Sequence, residues 1–412
     1  MIGHRTINKY FNSSFVYLLV VITLVLWGLV VMYSASYHEA FIHGLPHYYF
    51  LKNQFNFFVL ALFAAVVIKL MDFKYIEFFI YPLMVISVIC MLLTLFSPFG
   101  VSIMGAKRWL KLGPAPSFQP SELVKVSTIL FIAKYYSKEN KKDLVAFLVV
   151  LFNAALILLQ KDYSTTMLYL ASNFLFLLVC GCDFKKVFLI GMFLIIPAAY
   201  AILVEPFRIK RIVSFLNPSL DPTGINYQIN NSLAAIQRGG LFGVGLGNGI
   251  YKLGRLPEVQ NDFIFSSLSE ETGFVGIILT LLLFYFILKI GFATASKMLA
   301  DNNLVKSYVC FGISVSISLQ LIINVMVVTA LIPPTGIPLP FISQGGTNLF
   351  FSIIEVSLIY KIIRENEQKD LEYEENYCDY GEKDDVEYKS KSISSINIGS
   401  DFTNYMDIGT GR

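Results

Sequence analysis

Charge is what this sequence has least of: Lys, Arg, Asp and Glu make up 15% of its 412 residues, where soluble domains carry about 25%. So low a fraction, beside 55% apolar residues, excludes a soluble globular enzyme, a nucleic-acid-binding module and a disordered protein. Cysteine and histidine are nearly as scarce. Cys90 and Cys310 sit inside apolar runs, Cys180 and Cys182 at the end of one, and Cys378 near the C-terminus. None falls in a loop assigned below to the outer face, so no structural disulfide is expected. A single Cys-x-Cys lacks the further ligands of a zinc site. His38, His43 and His47 share one short connection, where Pro46 disrupts the helical alignment of the last two. The stretch Gly239–Gly249 lacks the Gly-x-Gly-x-x-Gly spacing of a dinucleotide site.

Long apolar runs are what the sequence does have. A helix crosses the hydrocarbon core with about 20 apolar residues. Spans are expected at about 15–34, 54–71, 76–97, 121–136, 144–160, 164–181, 187–204, 263–290, 307–331 and 347–363. The expected fold is an all-α polytopic membrane protein of ten transmembrane helices, with a long outer loop, 205–262, between helices 7 and 8. Continuous runs exclude a β-barrel, which shows short alternating segments. Residues 1–14 precede the membrane domain 15–363. Lys and Arg divide 16 to 11 between the two sides, which places both termini in the cytoplasm. Nine of the eleven outer basic residues fall in loops 98–120 and 205–262, which suggests an anionic ligand there.

The C-terminal stretch differs. Residues 365–412 hold 13 acidic and 5 basic side chains, a net of −8, against 27 basic and 16 acidic, a net of +11, in residues 1–364. With few apolar residues, 364–412 reads as an acidic, disordered cytoplasmic tail.

Four outer segments carry polar residues of interest. In 107–125, Glu122 and Lys125 are three apart and share a helix face just inside the membrane, as an internal ion pair, as cavity-lining groups, or as both. Asp162 opens the sixth span, where a negative charge suits a helix N-terminus. Within 205–262, residues 227–238 read as an amphipathic interfacial helix, followed by glycines that permit close backbone approach to a ligand or simple re-entrant packing. Asp262 closes that loop. It is either a general base at a partly dry boundary or a helix cap. Glu270 and Glu271 follow and need partners. The segment 333–347 has four prolines and three glycines, so it cannot be a regular helix and must be buried in protein or line a cavity.

Together these segments resemble the SEDS family (shape, elongation, division and sporulation proteins). The resemblance rests on Tyr33-Ser34-Ala35-Ser36, Arg108-Trp109, Gln119-Pro120-Ser121-Glu122, Asp162, Gln228 through Gly247, Leu256-Pro257-Glu258, Asp262-Phe263-Ile264-Phe265, and Pro334 through Gly346. It covers roughly 15–363 in the family's order, and its short motifs resemble the division branch more than the elongation branch. Lys161, Tyr163, Ser164 and Gln344 depart from the family's usual residues.

The resemblance implies a peptidoglycan glycosyltransferase that polymerises lipid II at the division septum and releases undecaprenyl pyrophosphate. It implies Asp262 as the catalytic residue. It implies Glu122, Lys125, Asp162, Arg108, Lys111, Arg208, Lys210, Arg211, Gln228 and Ser232 as substrate-binding residues. A divalent cation, magnesium or manganese, would suit the pyrophosphate. A class B penicillin-binding protein and other division proteins are the implied partners. A lipid II flippase is the rival reading. It would need polar groups along the whole path, whereas the charged clusters here gather toward the outer half.

Overall fold

The computed structural model describes residues 13–103, 105–111, 113, 116–203 and 225–394, with 209, 213 and 215 between the last two stretches. Helices dominate because hydrocarbon offers no partner to backbone N–H and C=O groups, and a helix satisfies both internally. In chain order these are α1 (Ser13–Ile42), α2 (Tyr49–Leu70), α3 (Phe73–Phe96), α4 (Pro120–Tyr136), α5 (Asp143–Leu159), α6 (Tyr163–Val179), α7 (Phe184–Leu203), α8 (Ile225–Gly239), α9 (Ile264–Ala300), α10 (Leu304–Val328) and α11 (Gly346–Ser394). Among the described residues, six helices are long and apolar enough to cross a membrane: α1, α2, α3, α9, α10 and the Gly346–Glu372 part of α11. Helices α4, α5 and α6 have 17 residues each, about 25 Å at 1.5 Å per residue.

The chain divides into two compact units, Met1–Ile363 and Arg364–Arg412. In the first, α1, α4 and α11 surround α9 and α10, and the core is built from side chains such as Leu24, Met32, Ile129, Phe284, Ile313 and Ile359. By contrast, α2 buries only Gln54 and Ala61. Phe55, Leu62, Phe63, Phe78, Phe79 and Phe193 are exposed. So wide an apolar exterior is unsuited to water and suited to lipid.

Two expectations are corrected. The fold is not purely α: loop 98–120 contains an antiparallel hairpin, β1 (Gly100–Ile103) and β2 (Ala106–Leu110), extended by a bridge from Leu110 to Phe118. Valine, isoleucine and tryptophan favour that pleat. The acidic tail expected to lack structure is helical through Ser394, because its glutamates and lysines are strong helix formers. Residues 395–412 lie outside the described residues.

The glycine run after α8 resolves into re-entrant packing. Helix α9 breaks at Gly273, whose φ of 65° and ψ of −163° are non-helical. The break exposes backbone groups, and the glycine run satisfies them. Val244 N and Gly245 N donate to Glu270 O and Glu271 O (both 3.0 Å), while Phe274 N and Val275 N donate to Gly240 O (2.9 Å) and Leu241 O (3.1 Å). The close approach is therefore to a helix rather than to a ligand. Gly243 has φ +76° and a Cβ there would lie 2.1 Å from Glu271 O. Gly243→Ala should cost more than the roughly 1–2 kcal/mol of a left-handed non-glycine residue. Gly247, also left-handed but with open space around it, is the control. Thermal unfolding in detergent should show a clearly larger loss for Gly243→Ala than for Gly247→Ala. Equal losses would remove the steric part of the argument.

Candidate active site

Of the residues singled out above, Glu122, Lys125, Asp162 and Asp262 lie in or next to the starts of α4, α6 and α9. Pro120 at the start of α4 fixes the helix entry. One turn in, Glu122 and Lys125 form an ion pair of 2.8 Å with both side chains buried. Asn348 Nδ2 on α11 donates to Glu122 Oε2 (3.2 Å), and Lys125 Nζ donates to Gln320 Oε1 on α10 (3.4 Å). The pair is thus tied to three helices, which suits charge at membrane depth.

Asp162 sits at the N-cap of α6 and accepts from Thr165 N (3.3 Å). Gln119 Nε2 also reaches it at 3.3 Å, and Arg108 Nε on β2 lies 3.8 Å away. Arg108 further donates to Lys161 O (2.8 Å). Capping and cluster membership coexist at this residue.

Asp262 is half-buried and immediately precedes α9. The N-cap position of α9 is Phe263, the residue after Asp262. The segment 333–347 folds back against it. A Cβ on Gly336 would lie 3.5 Å from Asp262 Oδ2, so the turn at Gly336 stands next to the carboxylate. Four of the non-glycine residues with positive φ stand at the junctions of this region: Lys161 (59°), Glu258 (54°), Ala330 (59°) and Phe341 (66°). Such strain costs of order 1–3 kcal/mol per residue and collects at functional sites.

Beside Asn261 lies a cavity of about 290 Å³ lined by Phe50, Asn53, Gln54, Phe57, Trp109 and Gln344, with backbone from Gly345 and Gly346. Its lining is aromatic and amide, with the hydroxyls of Ser117 and Thr347, and holds no charged residue among the described residues. Gln344 Oε1, Gln260 Oε1 and Thr335 Oγ1 are buried there or nearby without a hydrogen-bond partner. Unsatisfied buried acceptors favour an incoming polar ligand or water.

Other expected residues sit differently. Ser232 is fully buried; its hydroxyl donates to Val328 O and pairs with Ser266 Oγ, both at 2.7 Å. That placement packs α8 against α9 and α10. Gln228, one turn earlier on α8, is half-buried, and Lys111 is exposed. Arg208, Lys210 and Arg211 lie outside the described residues. The expected anion-attracting charge of the outer loops is partly spent internally: Arg238 pairs with Glu270, and Lys252 pairs with Glu271. Those are the partners the two membrane-embedded glutamates require.

Sequence reading passed over Gln54, Gln320, Asn324, Ser343 and Glu355, all buried. Gln320 and Asn324 are four apart in an apolar span, and that spacing was the available signal. Glu355 is a lone acid about two and a half turns into α11, within electrostatic reach of Lys125 and Glu122.

Comparison with known proteins bears on the family and the fold. The profile of the family described as cell cycle protein, FtsW/RodA/SpoVE, matches residues 14–368. A Borreliella burgdorferi protein named Probable peptidoglycan glycosyltransferase FtsW is 36% identical over 354 residues, 84% of this chain and 95% of that protein. Stage V sporulation protein E of Bacillus subtilis is 38% identical over 356 residues, 84% of this chain and 96% of its own. Among solved structures, a chain from a study titled "Structural coordination of polymerization and crosslinking by a peptidoglycan synthase complex" aligns with a TM-score of 0.68 at 26% identity, covering 85% of this chain and 97% of that one. The rod shape determining protein RodA of Thermus thermophilus shares the fold, with a TM-score of 0.61 at 24% identity over 85% of this chain and 96% of its own. The sequence motifs, the re-entrant site and these matches together place the chain in the FtsW/RodA/SpoVE family.

Proposed function

We propose that this chain is a peptidoglycan glycosyltransferase of the FtsW type, polymerising lipid II during septal wall synthesis. The observation that carries the reading is Asp262, a carboxylate held on a fixed backbone beside an uncharged amide-and-aromatic cavity. Relatives that align over most of this chain carry that enzyme's name. In this reading Asp262 accepts the proton of the acceptor sugar's 4-hydroxyl. The freed oxygen attacks the donor anomeric carbon with inversion, and undecaprenyl pyrophosphate leaves. A base in that role contributes about 10²–10⁴-fold. The cavity suits the neutral sugar: Trp109, Phe50 and Phe57 offer ring faces, and Gln344 Oε1 offers an acceptor. The exposed Lys111 and the loop residues Arg208, Lys210 and Arg211, which lie outside the described residues, are the candidates to serve the pyrophosphate.

The reading includes ten spans, both termini in the cytoplasm, the active site on the outer face of the inner membrane, and a class B penicillin-binding protein as partner. Among the described residues, no three His, Cys, Asp or Glu side chains converge as cation ligands. A divalent cation on the pyrophosphate would need only one or two protein carboxylates, and no step here runs through one.

The test is polymerisation of labelled lipid II by the purified full-length protein, with and without the partner transpeptidase. Glycan ladders are the expected product; none under either condition would sink the reading. Trp109→Ala should raise KM about 2- to 12-fold, the scale of an aromatic contact of 0.5–1.5 kcal/mol, with little change in kcat. An unchanged KM would move the sugar out of this cavity.

A further inference from the structure

The backbone around Asp262 is held at three successive carbonyls. Gln260 O accepts from Gln344 N (2.8 Å), Asn261 O from Ser343 Oγ (2.6 Å), and Asp262 O from Asn324 Nδ2 (3.0 Å). Asn324 gives a second bond from the same amide nitrogen to Ile337 O (2.8 Å). One side chain on α10 therefore binds the segment that ends in Asp262 to the re-entrant segment opposite it. Asn324 is 1% exposed, so neither bond competes with water. One turn earlier on the same face, Gln320 Nε2 donates to Pro338 O (2.9 Å). Ser343 is held in turn: Leu339 N donates to its hydroxyl (2.8 Å), and Gln54 Nε2 on α2 donates to its carbonyl (3.2 Å).

Neither clamped segment has a helical ladder of its own here, so its conformation depends on these bonds. Asn324 projects from a regular helix, and sites supported from helices are held more firmly than sites supported from loops. The geometry points to Asn324 as a positioning residue for Asp262. It acts through the backbone and sets where the carboxylate stands relative to the cavity. It touches no reacting atom. The inference rests on Asp262 being the base in the proposed reaction.

A displacement of about 1 Å at a reacting group can cost on the order of 10²-fold in rate. Asn324→Ala removes both bonds and should lower kcat for lipid II polymerisation about 10- to 100-fold, with KM within about threefold. Asn324→Gln keeps the amide on a stem one methylene longer and should recover part of kcat. Hydrogen exchange supplies a readout independent of activity. Amides in 258–264 and 333–345 should exchange faster in Asn324→Ala, while those in α4 and α6 stay as in the parent. A rise in KM with unchanged kcat, or unchanged exchange in both segments, would overturn the positioning role. If Asn324→Ala does not fold, Asn324→Gln decides alone: a partial loss of kcat together with faster exchange in 258–264 and 333–345 supports the clamp, and a loss of kcat with exchange like the parent overturns it. If the parent protein does not polymerise lipid II but exchange rises as stated, the proposed function fails and the clamp stands.

Discussion

Asp262→Asn is expected to lower the rate of lipid II polymerisation by about 10²–10⁴-fold, with substrate binding and membrane insertion retained. The substitution keeps the side chain's size and much of its hydrogen bonding but removes its basicity. The three bonds that fix this segment involve the carbonyls of Gln260, Asn261 and Asp262, not the carboxylate, so the backbone should stay in place. Helix α9 should also be unharmed, because its N-cap is Phe263. The measurement is initial rate against lipid II concentration, with binding followed separately on the same preparation. A rate near that of the parent would remove Asp262 as the base, and Asp162 and Glu122 would be tested next. Of those two, Asp162 already caps α6 and lies 3.8 Å from Arg108, and Glu122 is already paired with Lys125. Both have work that does not require proton transfer; Asp262 comes first on the resemblance and on its place next to Asn261, which lines the cavity.

Much of this was legible in the sequence, for a definite reason. Apolar runs of spanning length leave the backbone one solution in lipid, so the six helices long and apolar enough to cross a membrane, α1, α2, α3, α9, α10 and the start of α11, fall where hydropathy puts them. The interfacial helix expected at 227–238 appears as α8, Ile225–Gly239. Glu122, Lys125 and Asp162 announced themselves because charge at a helix end in lipid is costly and therefore rare.

What stayed hidden depends on contacts between distant segments. The spacing from Gln320 puts Asn324 on a shared polar face of its span but does not say what it binds. Its meaning appears only when residues 262 and 337 are seen to share its nitrogen. The glycine run was ambiguous for the same reason: whether a bare backbone approaches a ligand or a helix depends on what lies opposite, and Gly273 supplies a broken helix. The β hairpin escaped because four- and five-residue strands leave too short a pattern beside spans of twenty. The charge count misled in one respect. Arg238 and Lys252 were counted toward an anion-attracting surface, but a total carries no information about internal pairing, and both are paired with the glutamates of α9.

That pairing leads to the second large expected effect, the loss of Lys252. Its ammonium contacts Glu271 Oε1 and donates to Ser34 Oγ (2.7 Å), and Ser34 donates to Glu271 Oε2 (2.7 Å). The Lys252 and Glu271 side chains are 3% and 2% exposed, so water screens neither charge. Lys252→Met would leave the Glu271 carboxylate buried with Ser34 as its remaining polar support. Breaking such a pair from one side costs about 3–5 kcal/mol. Replacing both partners with apolar residues of similar size is often neutral or stabilising, so the double variant Lys252→Met with Glu271→Leu should recover most of the loss. Unfolding of the purified protein in one detergent, for the parent, the single variant and the double variant, measures both numbers. The double variant also separates two roles for Lys252. If the ammonium serves only Glu271, stability and polymerisation rate return together. If it binds pyrophosphate, stability returns and the rate does not. A double variant as unstable as the single one would show that the pair's geometry, and not the stranded carboxylate, holds the glycine run against α9.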